Sequence, residues 1–174
     1  MRKTLAVTAA GVIALAAGGV AVAATDGGSP APGFTQAPAG GTTELELDAV
    51  PAAVRHTADQ AARGGEIASA TLDLDGVSAV YELAGKDADG AAIEVDVHAD
   101  GTLEELETAI EAADVPAAVT ERLTSALPDF AYTEVEKSIR PTKVGLLETY
   151  YEFGGEDADV EIDSAGTSYL VEPA

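Results

Sequence analysis

The chain has 174 residues, with 31 acidic and 9 basic side chains and a net charge of −22. Such a charge argues against nucleic acid and against anionic membrane surfaces as partners, because both would repel it. There is no cysteine, which excludes a disulfide scaffold, a thiolate nucleophile, a zinc–thiolate site and a lipid-modified N-terminal cysteine.

Residues 1–24 read as a signal peptide. Arg2 and Lys3 form a positive start, Leu5 to Val22 is apolar or small, and Ala21-Val22-Ala23 has the form of a signal-peptidase site. A retained anchor is the alternative, although its Ala- and Gly-rich composition makes a weak membrane span. Cleavage after Ala23 or Ala24 takes the net charge to −24 by removing Arg2 and Lys3. It implies a secreted or cell-envelope protein. Residues 25–43 contain Gly27-Gly28-Ser29-Pro30, Ala31-Pro32-Gly33 and Gly40-Gly41, and without periodicity they read as a flexible linker.

Residues 44–174 read as one domain made from a unit used twice, over 44–107 and 108–174. Val50-Pro51-Ala52-Ala53-Val54 returns 65 residues later as Val115-Pro116-Ala117-Ala118-Val119, and Gly101 returns as Gly166. Tyr81-Glu82-Leu83 returns as Tyr151-Glu152-Phe153. That period is too long for a solenoid and suggests two duplicated units. A unit of roughly 60 residues is marginal by itself, so the expectation is a core shared by both.

Each unit opens with a helix. Pro51 suits a first helical position, and Val54, Ala58, Ala61 and Ala62 fall on one amphipathic face. Gly64-Gly65 ends it. In the second unit Val119, Leu123, Ala126 and Leu127 take these positions before Pro128. The period then changes to two. Ala68, Ala70, Leu72 and Leu74 lead into the Asp75-Gly76 turn, and Val77, Ala79, Tyr81 and Leu83 follow. Asp89-Gly90 precedes Ile93, Val95 and Val97, and Asp100-Gly101 precedes a short fourth strand near Thr102–Leu106. The later counterparts are Ala131, Thr133, Val135 and Ile139, then Leu147, Thr149, Tyr151 and Phe153, then Val160 and Ile162, then Ser168 to Val171. A longer loop is expected around Arg140–Gly145. Glu104–Ala113 either extends the fourth strand or forms a helical turn. The expected fold class is α+β: two tandem helix-plus-four-stranded antiparallel meanders side by side, with helices on one face.

The repeated helix opening, the Tyr81-Glu82-Leu83 strand, and the Asp-Gly turns before Glu94-Val95 and after His98 resemble the PepSY-like domain family, a group described as similar to β-lactamase-inhibitor proteins. The resemblance spans about residues 45–172. It implies two units side by side, an open sheet face, an extracytoplasmic location and binding or inhibition of a peptidase or other enzyme. Ser164-Ala165-Gly166 replaces the Asp-Gly turn, and the cysteines of the β-lactamase inhibitors are absent. Both depart from the pattern.

Positioned catalytic groups are hard to find. His56 and His98 are the two histidines, with no motif that sets a nucleophile beside either. No phosphate loop, HExxH or CxxC occurs. Paired carboxylates are unavoidable with 31 acidic residues, and no tryptophan offers a sugar platform. The reading is therefore a non-enzymatic module without a cofactor. Asp73, Asp75 and Gly76, or Asp87, Asp89 and Glu94, carry hard oxygen ligands, but not at EF-hand spacing. Acidic turns explain them, and no metal site is assigned. Alternation sends Glu82, Glu94, Asp96 and His98 away from the core, and likewise Tyr150, Glu152, Glu161 and Asp163. These eight form the candidate binding face, for a protein partner with a basic surface. A solvated face carrying charge for solubility is the plainer account, and a calcium-type cation-binding envelope protein is the alternative function.

Overall fold

The computed structural model describes residues 41–75 and 78–173. The expected signal peptide, most of the expected linker, Gly76 of the expected Asp75-Gly76 turn and Val77 lie outside the described residues. The chain runs β1 (Gly41–Leu45), α1 (Ala52–Ala61), β2 (Glu66–Asp75), β3 (Ser78–Lys86), β4 (Ala92–His98), β5 (Leu103–Ala109), α2 (Ala117–Ala126), β6 (Tyr132–Pro141), β7 (Leu147–Gly155), β8 (Ala158–Asp163) and β9 (Tyr169–Pro173). Short 3-10 turns sit at Leu47–Ala49 and Ala112–Asp114.

Two tandem helix-plus-four-stranded meanders packed side by side were the expectation, and the strand order overturns it. The described residues form one nine-stranded antiparallel sheet, β1 to β9 in sequence order, with only two α-helices. The physical reason is edge pairing. β5 and β6 would each be an open edge of a separate sheet; instead they pair from Leu106↔Ile139 to Ala109↔Glu136, which satisfies backbone groups that an edge leaves bare. β1 is an added strand on the edge of β2, from Gly41↔Leu74 to Leu45↔Ala70. It takes up Gly41–Thr43, which had been read as the end of the linker.

The register shows the sheet to be continuous. Leu45, Ala70, Leu83, Val95, Leu106, Ile139 and Thr149 stand opposite one another in turn, as one row from β1 to β7. Both helices pack on this side. Val54 and Ala58 of α1 meet Leu83, Val95 and Val97, and Val119 and Leu123 of α2 meet Tyr151, Phe153 and Ile162. Full burial of each of the larger chains contributes roughly 1.5–3 kcal/mol.

The described residues form two apolar clusters in place of the expected shared core, because the row Ile93, Thr108, Lys137, Tyr151 puts a threonine and a lysine between them on the helix side. Pro51 and Pro116 precede the first helical residue and take the cap position with extended ψ. Gly101 (φ +88°) and Gly166 (φ +69°) hold the turns after β4 and β8 against Ala53 and Ala118 of the helices. A Cβ on Gly101 would lie 2.9 Å from that of Ala53, so the close approach and the left-handed backbone both require glycine. Glu104–Ala113 does both of the things left open: strand to Ala109, then the 3-10 turn. Tyr132 packs at the second core, since the register shifts between Tyr132 and Glu134. Leu147, expected inside, is exposed.

Candidate functional site

Three polar rows run across the centre of the opposite side of the sheet. One passes through Thr71, Glu82, Asp96 and Glu105. The next passes through Glu94, Glu107, Ser138, Tyr150 and Asp163. The third passes through Ala109, Glu136, Glu152, Glu161 and Leu170. Within these rows five opposed pairs are therefore acid against acid: Glu82/Asp96, Asp96/Glu105, Glu94/Glu107, Glu136/Glu152 and Glu152/Glu161. Like charges directly opposed across strands destabilise a sheet, so compensation has to come from cations or protons.

Arg140 supplies part of it. Lying near the end of β6, its Nε is 2.5 Å from Glu105 Oε1, Nη2 is 2.7 Å from Glu152 Oε1 and Nη1 is 2.5 Å from Glu161 Oε2. One guanidinium thus links β5, β7 and β8. Its charge is favoured despite burial, because Glu105 and Glu161 outweigh desolvation and raise its pKa. The ring of Tyr150 lies 4.9 Å from its Cζ, a cation–π distance. Ser138 donates a short hydrogen bond to Glu105.

Protons supply the rest. Burial, then Glu94, Glu82 and Glu105, push Asp96 up to about 8. Its Oδ1 is buried without a hydrogen-bond partner among the described residues, which suits a neutral acid better than a carboxylate. Burial, then Glu152, Glu105, Glu136 and Glu94, push Glu107 up to about 9. Burial, then Glu134, Asp159 and Glu105, bring Glu136 to about 7. Glu105 and Glu136 are only 5% and 8% exposed, and Ser138 is fully buried. This is an enclosed polar surface, unlike a solvated charged one.

All eight residues picked from the sequence lie on this side by register, but they do not act alike. Glu82 accepts a 2.7 Å hydrogen bond from Thr71 Oγ1. Glu152 and Glu161 hold Arg140. Tyr150 donates through its hydroxyl to Glu148 at 2.8 Å, which raises its pKa. His98 stands apart from the cluster, 3.8 Å from Glu104. Asp163 is occupied by its own turn, accepting from Ala165, Thr167 and Ser168. Those bonds, Ser168 first, hold it well below the usual carboxylate range. Glu105, Glu107, Glu136, Ser138 and Arg140 were missed. The period-two run Glu134, Glu136, Ser138, Arg140 was the signal that could have found the last three.

Glu105, Glu107 and Glu152 bring carboxylate oxygens within 4.8 Å of one another, the grouping among the described residues with a metal ligand's spacing. Two of the three already face Arg140. The acidic turn at Asp87 is self-contained, its Oδ1 accepting from Asp89 N and Ala91 N at 2.9 Å each. That is a turn's use of aspartate. Among the described residues no helix is long and apolar enough to cross a membrane.

Compared with solved structures, the chain is similar to a BLIP-like protein from Bacteroides fragilis, at 19% identity over 71% of this chain and 86% of that one, with a TM-score of 0.48. No protein-family model matches the sequence. No curated protein matches it.

Proposed function

We propose that this is an exported, non-enzymatic PepSY-like module that binds another protein through the acidic face of its sheet, as an inhibitor or regulator of an extracytoplasmic enzyme such as a peptidase. The observation that carries the reading is the placement of acid against acid in half-buried rows, on the side that neither helix covers. Charge needed only for solubility costs least on exposed rims. Enclosed charge costs stability, and proteins keep such features mainly at functional sites. A basic partner would relieve the repulsion on docking and be steered by the field.

The experiment compares the mature protein with Glu82→Lys and Glu94→Lys, chosen because neither side chain pairs with Arg140 in the bridges described above. Immobilised wild type is expected to retain a protein from extracytoplasmic extract that both variants lose, while their melting transitions stay cooperative. Retention of the same protein by both variants removes the face from the account.

A cation-binding role is the second reading, favoured by the Glu105, Glu107 and Glu152 grouping. Arg140 already sits as counter-charge on two of those residues, so the protein reading is preferred. Calorimetry with calcium discriminates them: saturable heat that disappears in Glu107→Gln supports the cation reading.

A further inference from the structure

The seam between β5 and β6 differs from the rest of the sheet. Its four pairs are close to the five of β1–β2, β4–β5, β7–β8 and β8–β9, and a bond from Ile110 N to Val135 O extends it, so what sets it apart is the side chains it carries. On the helix side Thr108 faces Lys137 there, and the two apolar clusters stop on either side of it. Leu106 and Ile139 are its one apolar pair. On the polar side the seam carries Glu107 against Ser138 and Ala109 against Glu136.

The groups around these acids are known from every neighbouring strand. Glu107 is faced by Glu94 from β4 and by Glu152 from β7. Glu136 is faced by Glu152 from β7 and by Asp159 from β8, with Glu134 on its own strand. Glu105 lies near both. Two bonds clamp the seam, from Arg140 and from Ser138, and both end on Glu105.

We propose that the β5–β6 seam is a proton-operated hinge between the two halves of the sheet, closed while its carboxyl groups keep their protons and opened when they lose them. Ionising Glu107 and Glu136 adds negative charge beside Glu94, Glu152 and Asp159 at the junction between the two apolar clusters, and the halves separate there. Each half keeps its own core. The curvature of the acidic face therefore changes with pH without unfolding. Burial, the first cause of the raised values of Glu107 and Glu136, is relieved by the same opening.

Amide hydrogen exchange of the full mature chain tests this between pH 5 and pH 9, with rates corrected for intrinsic exchange. Protection of Glu107–Ile110 and Glu136–Ile139 is expected to fall roughly ten-fold or more from pH 6 to pH 8 relative to the β2–β3 and β7–β8 ladders, since opening frees groups that then lose protons. The Glu107→Gln/Glu136→Gln double variant, permanently neutral, is expected to lose this dependence. Equal loss of protection in every ladder would mean global unfolding, and an unchanged seam would mean that the Glu105 clamps suffice. Either result overturns the hinge. So does a double variant that keeps the seam's pH dependence. Should that variant fail to fold, the comparison of ladders within the wild type still decides.

Discussion

Arg140→Met is the most informative single change, since it keeps most of the stem and removes the guanidinium. The side chain is 19% exposed, and its partners Glu105, Glu152 and Glu161 are 6%, 18% and 17% exposed. Removing one member of a buried ion pair costs about 3–5 kcal/mol, because the remaining charge stays desolvated. Three stranded carboxylates push toward the upper end and partial exposure toward the lower, which gives a loss of about 3 kcal/mol. For a domain of this size that lowers the midpoint of melting by about 6–12 °C. Urea denaturation at pH 7 measures it, and a double-mutant cycle with Glu105→Gln isolates the seam-crossing bond. The cycle should return a coupling of about 1 kcal/mol or more. A loss below about 1 kcal/mol, or strict additivity, would refute the view that this arginine holds the face together.

The raised acids set the direction of a second prediction. Asp96, Glu107 and Glu136 titrate near 8, 9 and 7 when folded, above their unfolded values, so their contribution is complete below about pH 4 and is lost as pH rises through 7 to 9. The melting temperature should fall between pH 5 and pH 9, and Asp96→Asn with Glu107→Gln should flatten that slope; a midpoint that climbs toward pH 9 contradicts it. Gly101→Ala and Gly166→Ala force a Cβ onto Ala53 and Ala118 at positive φ, and each should cost about 1–3 kcal/mol by chemical denaturation. Phe153→Ala empties the centre of the second core, where that ring is fully buried, at a cost of about 3–5 kcal/mol; exchange should show α2 and β7 loosened more than α1 and β3.

Local pattern carried much of this structure in the sequence. The spacing of Val54 and Ala58, and of Val119 and Leu123, marks the buried stripes of both helices. Strict alternation through Ile93, Val95 and Val97 marks β4, whose burial alternates residue by residue. What could not be read is long-range. β5 and β6 each looked like the boundary of a unit, and nothing local in Leu106 or Ile139 says that they stand opposite each other. β1 is Gly41-Thr42-Thr43-Glu44-Leu45, almost wholly exposed, so it lacks the apolar beat that reveals a strand. Arg140 was hidden by the proline that follows it. Arg140-Pro141 reads as the start of a loop, whereas β6 runs through Pro141, and the alternation of its polar side ends on the one cation found to bridge three strands.

The placement of that arginine bears on what the acidic face is for. A sheet selected only for solubility has no need of a cation wedged among Glu105, Glu152 and Glu161, because carboxylates spread over exposed positions need no internal counter-ion. Here the acids stand in register on adjacent strands, and the molecule offsets them partly with Arg140 and partly with retained protons. At Asp96, whose buried Oδ1 has no hydrogen-bond partner among the described residues, and at Glu107, which sits opposite Glu94 on one side and Ser138 on the other, the offset is a retained proton. These two sites lie across β4 and β5, beside the seam. A guanidinium or ammonium presented by a partner would do there what Arg140 does across β5 to β8, and in binding it would displace a proton. Affinity for a basic partner should then strengthen from pH 6 to pH 8 even as salt screening weakens it, a combination that a passive charged surface does not produce.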